Sequence, residues 1–182
     1  RRGCDGRGAG IVRQKKKQGL PSAAVAERAA AGRDEFIWTG WRGPHRDGLV
    51  PWLPETLPEE PHMEWALPLT SDALAGVAAT RELVIVADRD FADRHDVWRC
   101  LDAELGLELW SVTYPAEGQL DYGNSPRATP LIHGDYVYLQ GAFGHLHCVE
   151  LASGEIVWQR DLLAACEAGL PIWGLCGSPL IA

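Results

Sequence analysis

Side chains able to do chemistry are scattered thinly along these 182 residues. Five cysteines, at 4, 100, 148, 166 and 176, form no close-spaced CxxC pair, and their odd number leaves at least one thiol outside any internal bridge. His145 and His147 lie two apart in a stretch of β character, so both imidazoles share one face and offer two metal ligands. No third ligand accompanies them, and the pair is expected to be polar surface rather than a metal site. Asp88, Asp90 and Asp93 alternate but lack the Gly and terminal Glu of a calcium loop. Arg42, His45, Arg46 and Asp47 gather charge where Gly-Pro and Asp-Gly signal tight turns, and such residues ordinarily serve the turn itself. There is no Ser-His-Asp order, no Gly-rich phosphate loop and no H-E-x-x-H. The expectation is therefore no catalytic residue and no metal site.

What the sequence does carry is repetition. Cys100-Leu101-Asp102-Ala103-Glu104-Leu105-Gly106 through Trp110 returns as Cys148-Val149-Glu150-Leu151-Ala152-Ser153-Gly154 through Trp158, a period of 48 residues. Cys, acid, Gly and Trp recur in register, the mark of repeated supersecondary units. Around each copy lie short runs with two-residue alternation: Ala73 to Thr80, Leu83 to Ala87, Asp96 to Leu101 and Leu107 to Val112 in the first. In the second they are Ala128 to Ile132, Tyr136 to Leu139, His145 to Leu151 and Ile156 to Trp158. Four strands separated by turns make one antiparallel unit. A third unit is expected to open at Gly177 to Ile181, where Pro179 answers Pro130. Four strands per unit with a Trp closing each predicts an all-β fold, a partial β-propeller of four-stranded antiparallel blades.

The remaining chain divides in two. Residues 1–35 hold nine Lys/Arg against four Asp/Glu and no aromatic residue, and read as a disordered or partly helical leader, with a helix over 22–31. Residues 36–70 carry Trp38, Trp41 and Trp52 among four prolines at 51, 54, 58 and 61, an extended entry segment in which no helix becomes established. Its Met63 to Leu69 resembles a repeat end, Trp65 preceding Trp110 by 45 residues, and reads as a strand that completes a blade from the far side of a ring. Blades occupy 71–182, two complete and a third begun. The chain opens on Arg1 and stops inside an apolar run, so it is read as part of a longer protein. Residues 36–182 hold eight basic against twenty-one acidic residues, which argues against nucleic acid as a partner. No run approaches the length needed for a transmembrane helix.

The Leu101–Trp110 stretch and its echo resemble the tryptophan-docking repeat of pyrroloquinoline-quinone-type propellers, A-x-D-x-x-T-G-x-x-x-W. Gly123 to Pro130 with Gly134 to Tyr138 is similar to the opening of such blades, and Trp41 to Gly48 to the entry loop of exported bacterial relatives. The likeness covers about residues 36–182, with Cys100 and Cys148 where Ala is usual, Glu150 for Asp and Leu105 for Thr. It implies that Trp110 and Trp158, with Gly106 and Gly154, fasten adjacent blades. It also implies a ligand-facing surface near the channel mouth, for which Asn124, Arg127 and Trp173 are the candidates. Quinoprotein dehydrogenases of this class bind the quinone with calcium and, in many, a vicinal cysteine pair that this sequence lacks. The expectation is thus a non-catalytic platform for a protein or small ligand, in a periplasmic or otherwise exported bacterial protein, with no cofactor evident. The competing expectation is part of a quinone-dependent alcohol or sugar dehydrogenase.

Overall fold

The computed structural model describes residues 13–15, 37–50, 55–70 and 74–182. Its framework is two antiparallel sheets packed face to face. The first contains β2 (Ala78–Ala79), β3 (Leu83–Arg89), β4 (His95–Asp102) and β5 (Glu108–Pro115) in sequence order, and the second β6 (Leu131–His133), β7 (Tyr136–Gln140), β8 (His145–Glu150) and β9 (Ile156–Asp161). Each is a simple meander, the topology expected from two four-stranded units joined by turns. A further strand, β1 (Arg13–Lys15), runs antiparallel along the outer edge of β5. The helix expected over 22–31 lies outside the described residues.

Leu83, Ile85 and Ala87 from β3, Trp98 and Cys100 from β4, and Trp110 and Val112 from β5 point toward the second sheet. Val137, Leu139, Val149 and Leu151 meet them from the other side. Period-two alternation thus puts one face of each blade into a shared core, which neither sheet could bury alone. Cross-strand neighbours Ile85, Cys100 and Trp110 form a fully covered row. The equivalent row in the second blade is Tyr138, Cys148 and Trp158, and there Trp158 is 42% exposed because among the described residues no further sheet packs on that face.

Both blades carry the same irregularity. The register between β4 and β5 shifts at Cys100/Leu101, and between β8 and β9 at Cys148/Val149. In each case one residue, Leu109 or Val157, is left unpaired just before the tryptophan, a bulge that re-aims the ring that follows. The blades differ elsewhere. Tyr136 follows Leu83 by 53 residues whereas Cys148 follows Cys100 by 48, so the β3–β4 hairpin is five residues longer than its counterpart. Its tip residue Phe91 projects into solvent.

Two expected strands are not formed. Met63 to Leu69 is extended but unpaired, held by the Trp65 side chain rather than by a ladder. Gly177 to Ile181 likewise forms no strand, since no second strand stands beside it, and it packs along the inner edge of the second blade. At that edge Gly76, Thr129 and Ser178 hold equivalent places in successive units. A Cβ on Gly76 would stand 2.5 Å from Thr129 Oγ1, and the Thr129 amide donates to Ser178 Oγ at 3.1 Å. Small residues are required where units converge. The entry segment crosses the same edge: Trp38 exchanges two 2.8 Å backbone hydrogen bonds with Ala79, and Thr39 O accepts from the Ile132 amide.

The uncovered row predicts self-association. Residues 1–182 made alone should sediment as oligomers or aggregate, and a Tyr138→Lys, Trp158→Lys double variant should shift the population toward monomer. A parent chain that sediments as a sharp monomer at all concentrations would contradict this.

Candidate functional site

The two ends of the blade pair are built differently. At one end lie the repeat turns. In the first, Asp102 Oδ1 accepts the amides of Glu104 (3.0 Å) and Leu105 (2.9 Å), and Gly106 closes the turn at φ +65°. In the second, the longer Glu150 accepts from the Ser153 hydroxyl, which in turn accepts the Glu155 amide at 3.0 Å. Onto each turn an indole docks from the preceding unit. Trp65 Nε1 donates to Ala103 O at 2.9 Å, and Trp110 Nε1 donates to Leu151 O at 2.9 Å. A Cβ on Gly106 would lie 2.6 Å from Trp65, and one on Gly154 would lie 2.7 Å from Trp110. Only glycine allows this approach together with positive φ. Trp158 has no such turn to meet among the described residues, although its ring lies 6.0 Å from that of Tyr138.

The opposite end is laced by polar groups. Arg89, 1% exposed, donates to Asp96 Oδ1 (2.6 Å), to Asp93 Oδ1 (2.5 Å) and to the carbonyls of Asp93 and Ala116. Asp96 Oδ2 accepts from Ser125 Oγ at 2.6 Å, and Ser125 Oγ accepts the Ala142 amide at 2.9 Å, so this chain of bonds runs from the first blade into the second. Trp98 Nε1 donates to Tyr114 Oη at 3.0 Å, and the Tyr114 ring stacks on His147 at 4.3 Å. Burial pushes the Asp96 carboxyl up to about 6, against the opposing pull of Ser125, Arg89 and Tyr114. Burial also holds His147 down at about 4, helped by the neighbouring His145. The imidazole pair expected at the surface is therefore largely covered, because the first blade packs over that face of β8.

The three ligand-facing candidates meet at this end. Asn124 Nδ2 donates to Asp93 Oδ1 and Oδ2 at 3.1 and 3.0 Å, tying its loop to the long hairpin. Arg127 donates to Trp173 O and Gly123 O at 2.8 Å each, and to Asp121 O. It thereby clamps the chain after β9 to the loop before β6. Trp173 stands 53% exposed with its ring 5.3 Å from that of Tyr122. The polar atoms of Asn124 and Arg127 are largely consumed in fixing loops, whereas the rings of Tyr122, Trp173 and Phe91 are presented outward. A shallow depression lined by Asp93, Gln119, Leu120, Asp121, Gly123 and Asn124 lies among them.

Sequence reasoning missed the buried network. One signal was available: Asp96 is in phase with Trp98 and Cys100 on β4, and an acid on an inward face requires a partner. Its partners Ser125 and Arg89 come from separate segments, and nothing in the spacing links them.

Meandering four-stranded blades joined by docked indoles define a β-propeller of the pyrroloquinoline-quinone repeat type. A family model described as outer membrane protein assembly factor BamB matches residues 60–174, and the chain belongs to that family. No curated protein matches the chain. Among solved structures, quinohemoprotein alcohol dehydrogenase from Comamonas testosteroni is similar at 16% identity over 86% of this chain, with a TM-score of 0.57. BamB from Moraxella catarrhalis is similar at 25% identity over 54% of this chain, with a TM-score of 0.39. The chain spans about a quarter of the length of each.

The described acids do not fit a calcium ion beside a quinone. Asp88 is turned to Arg99 on one face of β3, Asp90 caps the Arg94 and His95 amides, and Asp93 is held by Arg89 and Asn124. No three metal-ligating groups converge among the described residues.

Two outcomes follow. Trp110→Ala should lower stability by about 3–5 kcal/mol, read from urea unfolding, because it opens a buried cavity at the blade junction. An effect below about 1 kcal/mol would deny the indole a fastening role. The second concerns pH. Asp96, raised from 3.8 to about 6, contributes stability present below pH 4 and lost as pH rises through 6. His147, lowered from 6.5 to about 4, contributes stability present above pH 6.5 and lost as pH falls through 4. The two slopes oppose one another. Relative to the parent, Asp96→Asn should gain stability more steeply with rising pH between about 4 and 6, and His147→Gln less steeply. Parallel profiles for all three proteins would defeat the assignment.

Proposed function

We propose that these blades form part of a non-catalytic platform that docks another protein, within an exported, periplasmic bacterial protein. The observation that carries this reading is the division of labour between the two ends. The repeat turns are occupied by indoles from neighbouring units. At the other end the loops are laced rigidly by Arg89, Asn124 and Arg127 and leave Phe91, Tyr122 and Trp173 outward. Rigid aromatic side chains give contact area at low entropic cost, a feature of protein-binding surfaces. Membership of a family described as an assembly factor supports the same direction.

Photo-crosslinking in the full-length protein tests it. A photoreactive residue at 122 or 173 should trap a discrete envelope protein, while one at 105, in a repeat turn, should not. The enzyme reading has its own assay: the full-length protein with added quinone and calcium, followed by dye reduction with alcohols or glucose. Sustained turnover there, or equal crosslinking from both ends, would overturn the platform reading.

A further inference from the structure

The loop Trp41–Gly48 takes no part in indole docking or in the laced end. Arg42 and Arg46 both adopt left-handed backbone, with φ +62° and +58°. Such a conformation is costly for a residue with a side chain and clusters at ligand-holding sites. Their guanidinium carbons lie 5.5 and 5.3 Å from the centroid of the one Trp41 ring. The polar contacts they make are to backbone oxygens: Arg42 to Asp47 O at 2.9 Å and Arg46 to Pro179 O at 3.0 Å. Neither forms an ion pair among the described residues, whereas Arg89 and Arg99 are each paired with two carboxylates. Two like charges thus share one ring in a molecule otherwise rich in acid, and among the described residues each guanidinium keeps N–H donors without an acceptor.

Beside Arg46 opens a cavity of about 170 Å³ whose lining includes Pro44, Leu131, His133, Leu180 and Ile181. It sits at the inner edge of the second blade. Aliphatic side chains beside a guanidinium select a particular chemistry: Arg offers a planar fork matched to two carboxylate oxygens, and Leu131, Leu180 and Ile181 reward a small apolar group.

We propose that the cavity beside this loop binds a carboxylate carried on a compact apolar body, with Arg46, which lines it, as the partner of the carboxylate. Two sources share that chemistry, the C-terminal residue of a polypeptide and a free short-chain aliphatic acid.

Titration calorimetry on the full-length protein tests the site, using a tripeptide ending in free Leu, its C-terminal amide, and hexanoate. At least one free carboxylate should bind, and amidation of the peptide should weaken its binding by about tenfold or more. Raising salt should weaken every acid. Arg46→Gln should lose about tenfold in affinity and Arg46→Lys less, since the charge stays and the fork goes. A preference for the peptide assigns the polypeptide source, and a preference for hexanoate the free acid. Should Arg46→Gln unfold, Arg46→Lys carries the same test with a smaller loss. The proposal is overturned by equal binding of acid and amide, by unchanged affinity in a folded Arg variant, or by no heat from any ligand up to about 10 mM. None of these results bears on protein docking at the laced end.

Discussion

An indole resting on a glycine turn of the next unit is the contact on which the other features depend. Trp65 reaches the Ala103–Gly106 turn and Trp110 the Leu151–Gly154 turn with the same donor, the same acceptor position and the same 2.9 Å separation. Without it the two sheets keep their shared core and the polar bonds at the other end but lose their fixed point of contact at the turn end. The bulges before Trp110 and Trp158 make sense in that light, because an unbroken ladder would aim those rings differently. So does the positive φ at the glycine, where a Cβ would collide with the ring. A single residue pair thus sets blade spacing, and blade spacing decides which polar groups meet across the junction.

Those groups do the opposite of what isolated inspection suggests. Asp96 and His147 are buried titratable residues joined through Tyr114, the first accepting its influence by hydrogen bond and the second by stacking. Such groups invite a catalytic reading. Here Asp96 is bonded to Arg89 of its own sheet and to Ser125 of the connecting loop, and His147 stacks on Tyr114 of the first sheet. Their pKa displacements are the electrostatic cost of placing polar residues at the end of a dry interface.

The order of strands, the glycine turns and the role of tryptophan as closure were legible because each leaves a local mark repeated at a fixed distance. Other features were not, and the reasons are physical. Met63 to Leu69 has strand composition, yet a strand exists only where a partner supplies its hydrogen bonds. The five extra residues of the β3–β4 hairpin precede the first copy of the repeat and do not disturb its 48-residue beat, so the projecting Phe91 was invisible. His145 and His147 were placed correctly on one face, but which face a second sheet covers is a tertiary fact. Asn124, Arg127 and Trp173 were candidates only through the resemblance to propellers; the structure brings them to one end, where two of the three spend their polarity on the loops themselves.

The unequal turns raise a point about inheritance. Asp102 holds its turn directly, whereas Glu150 reaches through Ser153 to the Glu155 amide. The two side chains thus serve different amides, Asp102 those of Glu104 and Leu105 and the Glu150–Ser153 pair that of Glu155. The hydroxyl at 153 shares in holding the second turn, so the acid at 150 is not its only determinant. A profile that scores the acid alone will undervalue such repeats, and duplicated blades that look degenerate by sequence can be mechanically equal.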